Sequence, residues 1–372
     1  MRVDGRQMRT IWVAQSASGW VVEIIDQTRL PHEVAVMRMG DLADVCRAIR
    51  DMHVRGAPLI GVAAAYGVAL AMGLDPSDQA LDRATAALLA TRPTAVNLRR
   101  ATDDMRAVLL AVAPPARPEL AQRHAAVLCD GEVAIGRAIG QHGLALLRTL
   151  APAGRPLQVL THCNAGWLCT VDWGTALAPV YAAYDAGLPI HVWVSETRPR
   201  NQGMLTAWEL GQHGVPHTLV ADNAAGHLMQ RGQIDVLITG TDRTTARGDV
   251  CNKVGTYLKA LAARASGVPF YVAAPGTSID WSIEDGLSGI PIEERPPGEV
   301  TAISGRGPDG RLITVEFAPP GTAAANPAFD ITPAALVTGL ITERGVCGPS
   351  DLRALYEAHR PLGPGASAPS VT

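Results

Sequence analysis

Hydrophobic positions recur in three different rhythms along the chain. Between residues 11 and 38 the runs WVVEII and EVAVMRM are short, rich in β-branched residues and bounded by polar turns, which reads as strands. From residue 42 the spacing lengthens to that of a helix. Leu42, Val45, Cys46, Ile49 and Met52 share one face over 42–53, and Asp41 stands where a cap is needed. Residues 57–74, APLIGVAAAYGVALAMGL, carry no charge. That length reaches the threshold of a membrane span, but the segment stands alone and is rich in Ala and Gly. A helix buried at the centre of a large soluble domain is expected. Two amphipathic stretches within 76–113 flank the loop Thr91-Arg92-Pro93-Thr94. Pro114, Pro115 and Pro118 then interrupt the pattern, and a long helix follows over 119–150 with Ile135, Ile139, Leu146 and Leu150 on one face.

After residue 150 the rhythm changes. Residues 151–156 hold two prolines and a glycine and mark a domain boundary. Beyond them short apolar strands at 157–162, 190–196, 217–222, 235–242 and 269–274 alternate with helical stretches near 174–186, 202–213, 223–231 and 252–266. Such alternation predicts an α/β fold with a doubly wound, mostly parallel sheet. The expected organisation is a small N-terminal domain over 1–150, mainly helical with short strands, a sheet domain over 151–357, and a disordered tail over 358–372. Gly305 to Gly310 matches the dinucleotide fingerprint G-x-G-x-x-G literally. Yet Pro308-Asp309-Gly310 is turn chemistry and the strand-like RLITVEF follows it, so a hairpin loop is expected there.

Composition narrows the function classes. The 372 residues are 47% hydrophobic and 18% charged, which is globular, and only 4% aromatic, so Ala, Val, Leu and Ile must build the core. A net charge of −3 with no basic patch or tail gives no footprint for nucleic acid. Six cysteines without a C-x-x-C or Cys/His metal pattern suggest reduced thiols in a cytoplasm and no zinc site. The N-terminal MRVDGRQMRTIWV has no apolar core of a secretory signal.

In an open α/β sheet, ligands bind beyond the carboxyl ends of the strands. Here those ends read His162-Cys163-Asn164, Ser195-Glu196-Thr197-Arg198, Ala221-Asp222-Asn223 and Gly240-Thr241-Asp242-Arg243. Asp222 fits a helix cap, and Glu196 can pair with Arg198 or Arg200. Asp242 follows the apolar run VLITG, so burial should raise its pKa toward the range of a general acid or base, unless it pairs with Arg243 or Arg247. Cys163 follows LQVLTH and is placed for proton donation or nucleophilic attack, although a buried inert thiol is the common fate of a cysteine. His162 is a poor base for it, because adjacent strand residues point to opposite faces. Arg55-Gly56-Ala57-Pro58 opens the apolar helix and resembles an anion cradle. Residues 248–253 lead into a helix whose first turn should hold Lys253, where the macrodipole disfavours a cation unless an anion is near. Arg92 is a third cation. Together they fit a phosphorylated small molecule in an interdomain cleft.

The segments RGAPLIGVAAAYG, TRPTAVN, THCNAG, WGTAL, SETRPRNQG, GTDR, GDVCNKVGTY, PIEERPPGEV and NPAFDITP, in this order, resemble the methylthioribose-1-phosphate isomerase family. Its wider relatives include ribose-1,5-bisphosphate isomerases and regulatory subunits of the eukaryotic initiation-factor exchange complex. The likeness spans nearly all of residues 10–360. It implies a Rossmann-like C-terminal domain, a cytoplasmic homodimer, and an aldose–ketose isomerisation in methionine salvage that needs no cofactor or metal. It further implies that Cys163 and Asp242 are the catalytic pair, and that Arg55, Gly56, Ala57, Arg92, Gln202, Asn252 and Lys253 hold the phosphosugar. Two departures bear on substrate preference: Thr241 precedes the aspartate where alanine is usual, and Arg247 stands in place of asparagine. Within the family the alternatives are isomerases of 5-deoxyribose 1-phosphate or ribose 1,5-bisphosphate. From another class comes a non-catalytic regulatory subunit, which would not need the Cys163 and Asp242 pair.

Overall fold

The computed structural model describes residues 1–17, 19–92 and 95–359. The tail expected from residue 358 lies, from residue 360 onward, outside the described residues, as do Pro93 and Thr94 of the predicted loop.

Three antiparallel strands, β1 (Ile11–Ser16), β2 (Gly19–Ile25) and β3 (Val36–Met39), form a small sheet that buries Ile11, Val22, Ile24 and Met39. Helix α1 (Leu42–Arg50) follows, and the Asp41 carboxylate accepts a hydrogen bond from the Asp44 amide, as the sequence predicts. The uncharged segment is helix α2 (Ala57–Leu74), with Pro58 in its first turn and fourteen of its eighteen residues buried. It is covered by α1, α3 (Asp78–Thr91), α4 (Val96–Leu110) and α5 (Arg117–Leu150), which explains why it needs no polar face. At about 1.5 Å per residue, α5 is long enough to serve two cores. Ala121, Ala125 and Cys129 pack with α2, whereas Ile139, Leu144 and Leu147 join the core beneath the large sheet. The predicted face of Ile135, Ile139, Leu146 and Leu150 is the one that meets that second core.

The remaining chain builds that sheet from β4 (Leu157–His162), α6 (Ala178–Asp185), β5 (Ile190–Ser195), α7 (Gln202–His213), β6 (His217–Val220), α8 (Ala224–Gln230) and β7 (Val236–Thr239). Next come β8 (Arg243–Thr245), β9 (Val250–Lys253), α9 (Thr256–Ser266), β10 (Phe270–Ala273) and β11 (Ile279–Asp280). The chain ends with β12 (Ala302–Arg306), β13 (Leu312–Glu316), β14 (Phe329–Thr332), β15 (Gly339–Thr342), β16 (Gly345–Cys347) and α10 (Leu352–Ala358). The order in the large sheet is β16-β15-β10-β7-β4-β5-β6, parallel throughout except for the edge strand β16. Val159 on β4 lies between Val192 on β5 and Val236 on β7. The chain winds from β4 outward to β6, then returns to the other side of β4 as β7. This reversal opens a crevice between the carboxyl ends of β4 and β7.

Two expectations need correction. The helix predicted over 252–266 begins only at Thr256; Asn252 and Lys253 instead end strand β9, opposite Asp330 and Phe329 of β14. Partners about eighty residues away decide this, and no local pattern announces them. The strand predicted over 235–242 stops at Thr239, and Arg243 begins β8 in a second sheet of order β11-β8-β9-β14. The Gly305–Gly310 segment is the predicted hairpin turn, joining antiparallel β12 and β13.

Candidate active site

A cleft of about 830 Å³, counting its open mouth, lies at the crevice between β4 and β7. All nine residues singled out from the sequence line it: Arg55, Gly56, Ala57, Arg92, Cys163, Gln202, Asp242, Asn252 and Lys253. The α2 end supplies the first three, the large sheet supplies Cys163 and Asp242, and β9 supplies Asn252 and Lys253.

Cys163 directly follows β4 and is held with φ +68°, a left-handed backbone that a residue with a Cβ rarely adopts. Its amide donates to Thr197 Oγ1 at 2.8 Å, and its carbonyl accepts from Thr206 Oγ1 at 2.8 Å. Thr197, with φ +65°, sits in turn on Asp222, whose carboxylate accepts the Thr197 amide at 2.9 Å and the Arg198 amide at 2.7 Å. Asp222 is therefore a clamp for the loop after β5, not the cap of α8; Asn223 occupies the cap position. Burial opposes its ionisation, but hydrogen bonds from Ser195 and Arg198 and the Lys259 ammonium hold its carboxyl below the usual range. His162 closes the strand, and its ring is engaged by the Val254 carbonyl and Thr197 Oγ1. It is buried, its Nε2 lies 2.9 Å from the Val254 carbonyl, and burial beside Lys259 drives its pKa down, so the ring is neutral.

Asp242 is half-buried after β7, with its amide bonded to the Cys251 carbonyl at 2.9 Å. Burial lifts its carboxyl above the ordinary range, against the pull of Arg92, Arg243 and Lys253. Of the two arginines considered from the sequence, Arg243 acts on Asp242 electrostatically and also meets Asp280 at 3.6 Å, while Arg247 meets Glu284 at 2.7 Å. Glu196 likewise faces the Asp222 amide, while Arg198 bonds to the Pro199 and Val300 carbonyls and Arg200 to Glu299.

Arg55 is 7% exposed and donates to Asn164 Oδ1; its Nε is buried without a partner. Gly56 caps α2 with φ +90°, and a Cβ there would stand 2.3 Å from the Cys169 carbonyl oxygen, so only glycine lets α2 enter the cleft at this point. Lys253, also 7% exposed, lies 4.8 Å from the centre of the Phe329 ring. Burial lowers its pKa, while Cys163 and Asp242 nearby favour the charged form. The helix-dipole argument for an anion beside Lys253 does not apply, because Lys253 ends a strand. Its desolvation points to the same need for a nearby negative charge. Gln202, at the start of α7, leaves its Oε1 buried and unpaired.

Sequence reasoning assigned no site role to Asn164, Arg200, Glu293, Arg295 and Phe329, which also line the cleft. Arg200, Glu293, Arg295 and Phe329 lie inside the quoted segments SETRPRNQG, PIEERPPGEV and NPAFDITP, so the signal was present but unassigned. Arg92 pairs with Glu293 at 2.9 Å, Arg295 with Glu293 and Glu299 at 3.0 and 2.6 Å, and Arg200 with Glu299 at 2.5 Å. This network ties Arg92, at the end of α3, and Arg200 to the 293–299 segment along the cleft.

Residues 53–349 match the Initiation factor 2 subunit family. The chain is 60% identical over 352 residues to a methylthioribose-1-phosphate isomerase of Acidiphilium cryptum, covering 94% of this chain and 96% of the relative. Among solved structures, 5-methylthioribose 1-phosphate isomerase from Pyrococcus horikoshii is 37% identical with a TM-score of 0.81, covering 95% of this chain and 97% of that one. The translation initiation factor eIF-2B subunit delta from A. fulgidus is also 37% identical, with a TM-score of 0.78 over 94% of this chain and 100% of its own. The chain thus belongs to the Initiation factor 2 subunit family, among its methylthioribose-1-phosphate isomerases.

Proposed function

We infer that the cleft converts 5-methylthioribose 1-phosphate into 5-methylthioribulose 1-phosphate, an aldose–ketose isomerisation of methionine salvage. The observation that carries this reading is the meeting of a thiol, a carboxyl of raised pKa and two desolvated cations in one crevice. A regulatory subunit would have no need of the Cys163 and Asp242 pair.

The phosphate occupies the anomeric oxygen, so the sugar cannot open to a free aldehyde. Ring opening therefore needs a proton delivered to the ring oxygen, and we assign that donation to the Cys163 thiol. Hydrogen must then move from C2 to C1. On an enolate route Asp242 takes the proton from C2 and returns it to C1, while the C2 hydroxyl proton passes to the thiolate left on Cys163; on a direct route hydride passes from C2 to C1 and Asp242 takes the C2 hydroxyl proton. Both routes leave the ketone at C2 and the phosphate at C1.

Arg55 and Lys253 hold the phosphate, with Gly56 and Ala57 admitting it to the start of α2, Gln202 and Asn252 meeting the sugar hydroxyls, and Arg92 at the rim. Arg92, Arg200 and Arg295 are already engaged by Glu293 and Glu299. Among the described residues, Arg55 and Lys253 contact an amide and an aromatic ring rather than a carboxylate. That suits one phosphate, while Met52 and Pro275 suit an apolar substituent at C5. The proposal extends to a cytoplasmic homodimer acting on a small molecule, without nucleic acid, membrane or cofactor, and to a domain boundary at 151–156. Ketose formation should be measured with 5-methylthioribose 1-phosphate, 5-deoxyribose 1-phosphate and ribose 1,5-bisphosphate. The methylthio sugar should exceed the bisphosphate by at least about a hundredfold in kcat/KM, since the further arginines of the cleft are already paired with Glu293 and Glu299 and a second phosphate would have to displace those carboxylates. A preference for the bisphosphate would overturn the assignment.

A further inference from the structure

Behind Arg55 lies a carboxylate that the reaction itself does not use. Glu209, on α7, is fully buried. It accepts four hydrogen bonds: from Asn164 Nδ2 at 2.8 Å, the Trp167 amide at 2.8 Å, the Leu168 amide at 2.9 Å and the Tyr181 hydroxyl at 2.9 Å. The space around it is filled, for a Cβ on Gly166 would lie 1.8 Å from Glu209 Oε2. The three N–H donors and the Tyr181 hydroxyl favour the ionised form, but burial outweighs them and raises its pKa above the ordinary carboxyl range.

Asn164 connects this carboxyl to the cleft. Its amide nitrogen donates to Glu209 and, at 3.1 Å, to Thr206 Oγ1, which uses both hydrogens. Its carbonyl oxygen is left to face Arg55 and accepts from Nη2. A reversed amide would set oxygen against the Glu209 oxygen and N–H against guanidinium, so the Glu209 acceptor, itself fixed by the Leu168 amide, selects a single orientation. The Arg55 guanidinium is then held at one edge, with its Nε still unpaired.

We propose that Glu209 is a positioning residue for the substrate phosphate, acting through the Asn164 amide to aim Arg55 into the cleft. The proposal rests on the reading of Arg55 as a phosphate ligand. It separates Glu209 from a plain core residue because its effect must pass through Arg55.

The test is a double-mutant cycle with 5-methylthioribose 1-phosphate, run beside thermal unfolding. Arg55→Ala should raise KM on the order of tenfold to a hundredfold, the worth of one charged hydrogen bond. Glu209→Gln, which keeps the shape but sets an amide donor among these donors in place of an acceptor oxygen, should raise KM at least about tenfold with kcat changed less than about threefold, as expected for lost ground-state binding. In the Arg55→Ala background, Glu209→Gln should add less than about a twofold change. If the two effects multiply, Glu209 acts structurally and the proposal fails. If Glu209→Gln leaves KM unchanged while Arg55→Ala raises it, the proposal fails and the phosphate assignment stands. If Arg55→Ala itself leaves KM unchanged, both fail. Should Glu209→Gln not fold, Asn164→Ala takes its place in the cycle with the same expected non-additivity.

Discussion

The amide of Cys163 donates to Thr197 Oγ1 at 2.8 Å, and both residues hold left-handed backbones, with φ of +68° and +65°. Two strained residues from adjacent strands thus share one hydrogen bond, and the Asp222 carboxylate fixes the second of them through its amide. Strain of this kind persists only where the surroundings over-determine it. Here it presents the thiol at the switch point of the sheet.

That arrangement makes Thr197 a test of thiol placement. Thr197→Val keeps the volume but removes the acceptor, leaving the Cys163 amide unsatisfied at a cost of roughly 1–3 kcal/mol in unfolding free energy. A displaced thiol should also lower kcat, by up to about a hundredfold for a shift near 1 Å. Thr197→Ser retains the hydroxyl and should restore most of kcat. Denaturant unfolding and steady-state kinetics on the pair of variants check this; equal kcat in both would show that the hydrogen bond does not position the thiol.

The assignment of the proton transfers predicts matched losses. Cys163→Ser raises the pKa of the donor, and Asp242→Asn abolishes the proton function while keeping the shape. Each should lower kcat by at least about a hundredfold, the low end for a general acid or base, with little change in KM or melting temperature. A variant that retains more than about a tenth of wild-type kcat would mark its residue as structural.

The raised pKa of Asp242 sets the acid limb of the pH profile. Burial favours its protonated form, so the limb in kcat/KM should lie above the ordinary carboxylate range. The Arg92 guanidinium holds that pKa down, and Arg92→Gln should therefore move the limb to higher pH. A limb that stays in place, or moves to lower pH, would separate Asp242 from Arg92.

A second carboxyl predicts stability rather than rate. Burial lifts Glu132, on α5, from 4.5 to about 7. The folded protein holds this proton more tightly than the unfolded chain. Its contribution is therefore fully present below the unfolded value and is lost as pH rises through about 7. Glu132→Gln imitates the protonated form at every pH. Its unfolding free energy relative to wild type should rise by about 2 kcal/mol between pH 4.5 and 8, after a discount for partial exposure. Urea unfolding at the two pH values measures this, and a constant difference would refute it.

Much of the fold follows from local pattern. The uncharged 57–74 segment can satisfy its backbone and bury every side only as an enclosed helix, and α2 is that helix. The Asp41 cap, the hairpin at 305–310 and the core-facing stripe of α5 each require only neighbours within a few residues. Short apolar runs alternating with helices likewise sufficed to predict strand ends carrying Cys163 and Asp242. Arg92 stood out only as the weakest of three cations, and for Gln202 and Asn252 the chemistry of the residues alone said little, so the family likeness supplied them.

Other features depended on partners far away in sequence. Lys253 reads locally as the start of a helix, yet its pairing with Phe329 makes it the end of a strand and buries its ammonium against that ring. Asp222 reads as a helix cap, but the loop after β5 brings three donors to it first. Glu209 has no local signature at all; its meaning comes from Asn164, Trp167, Leu168 and Tyr181 converging on one buried carboxylate. Sequence periodicity determined which residues face inward, because hydrophobic burial acts along each element. Tertiary structure alone decided which polar groups meet, because a buried charge is tolerated only where separate elements bring its partners to it.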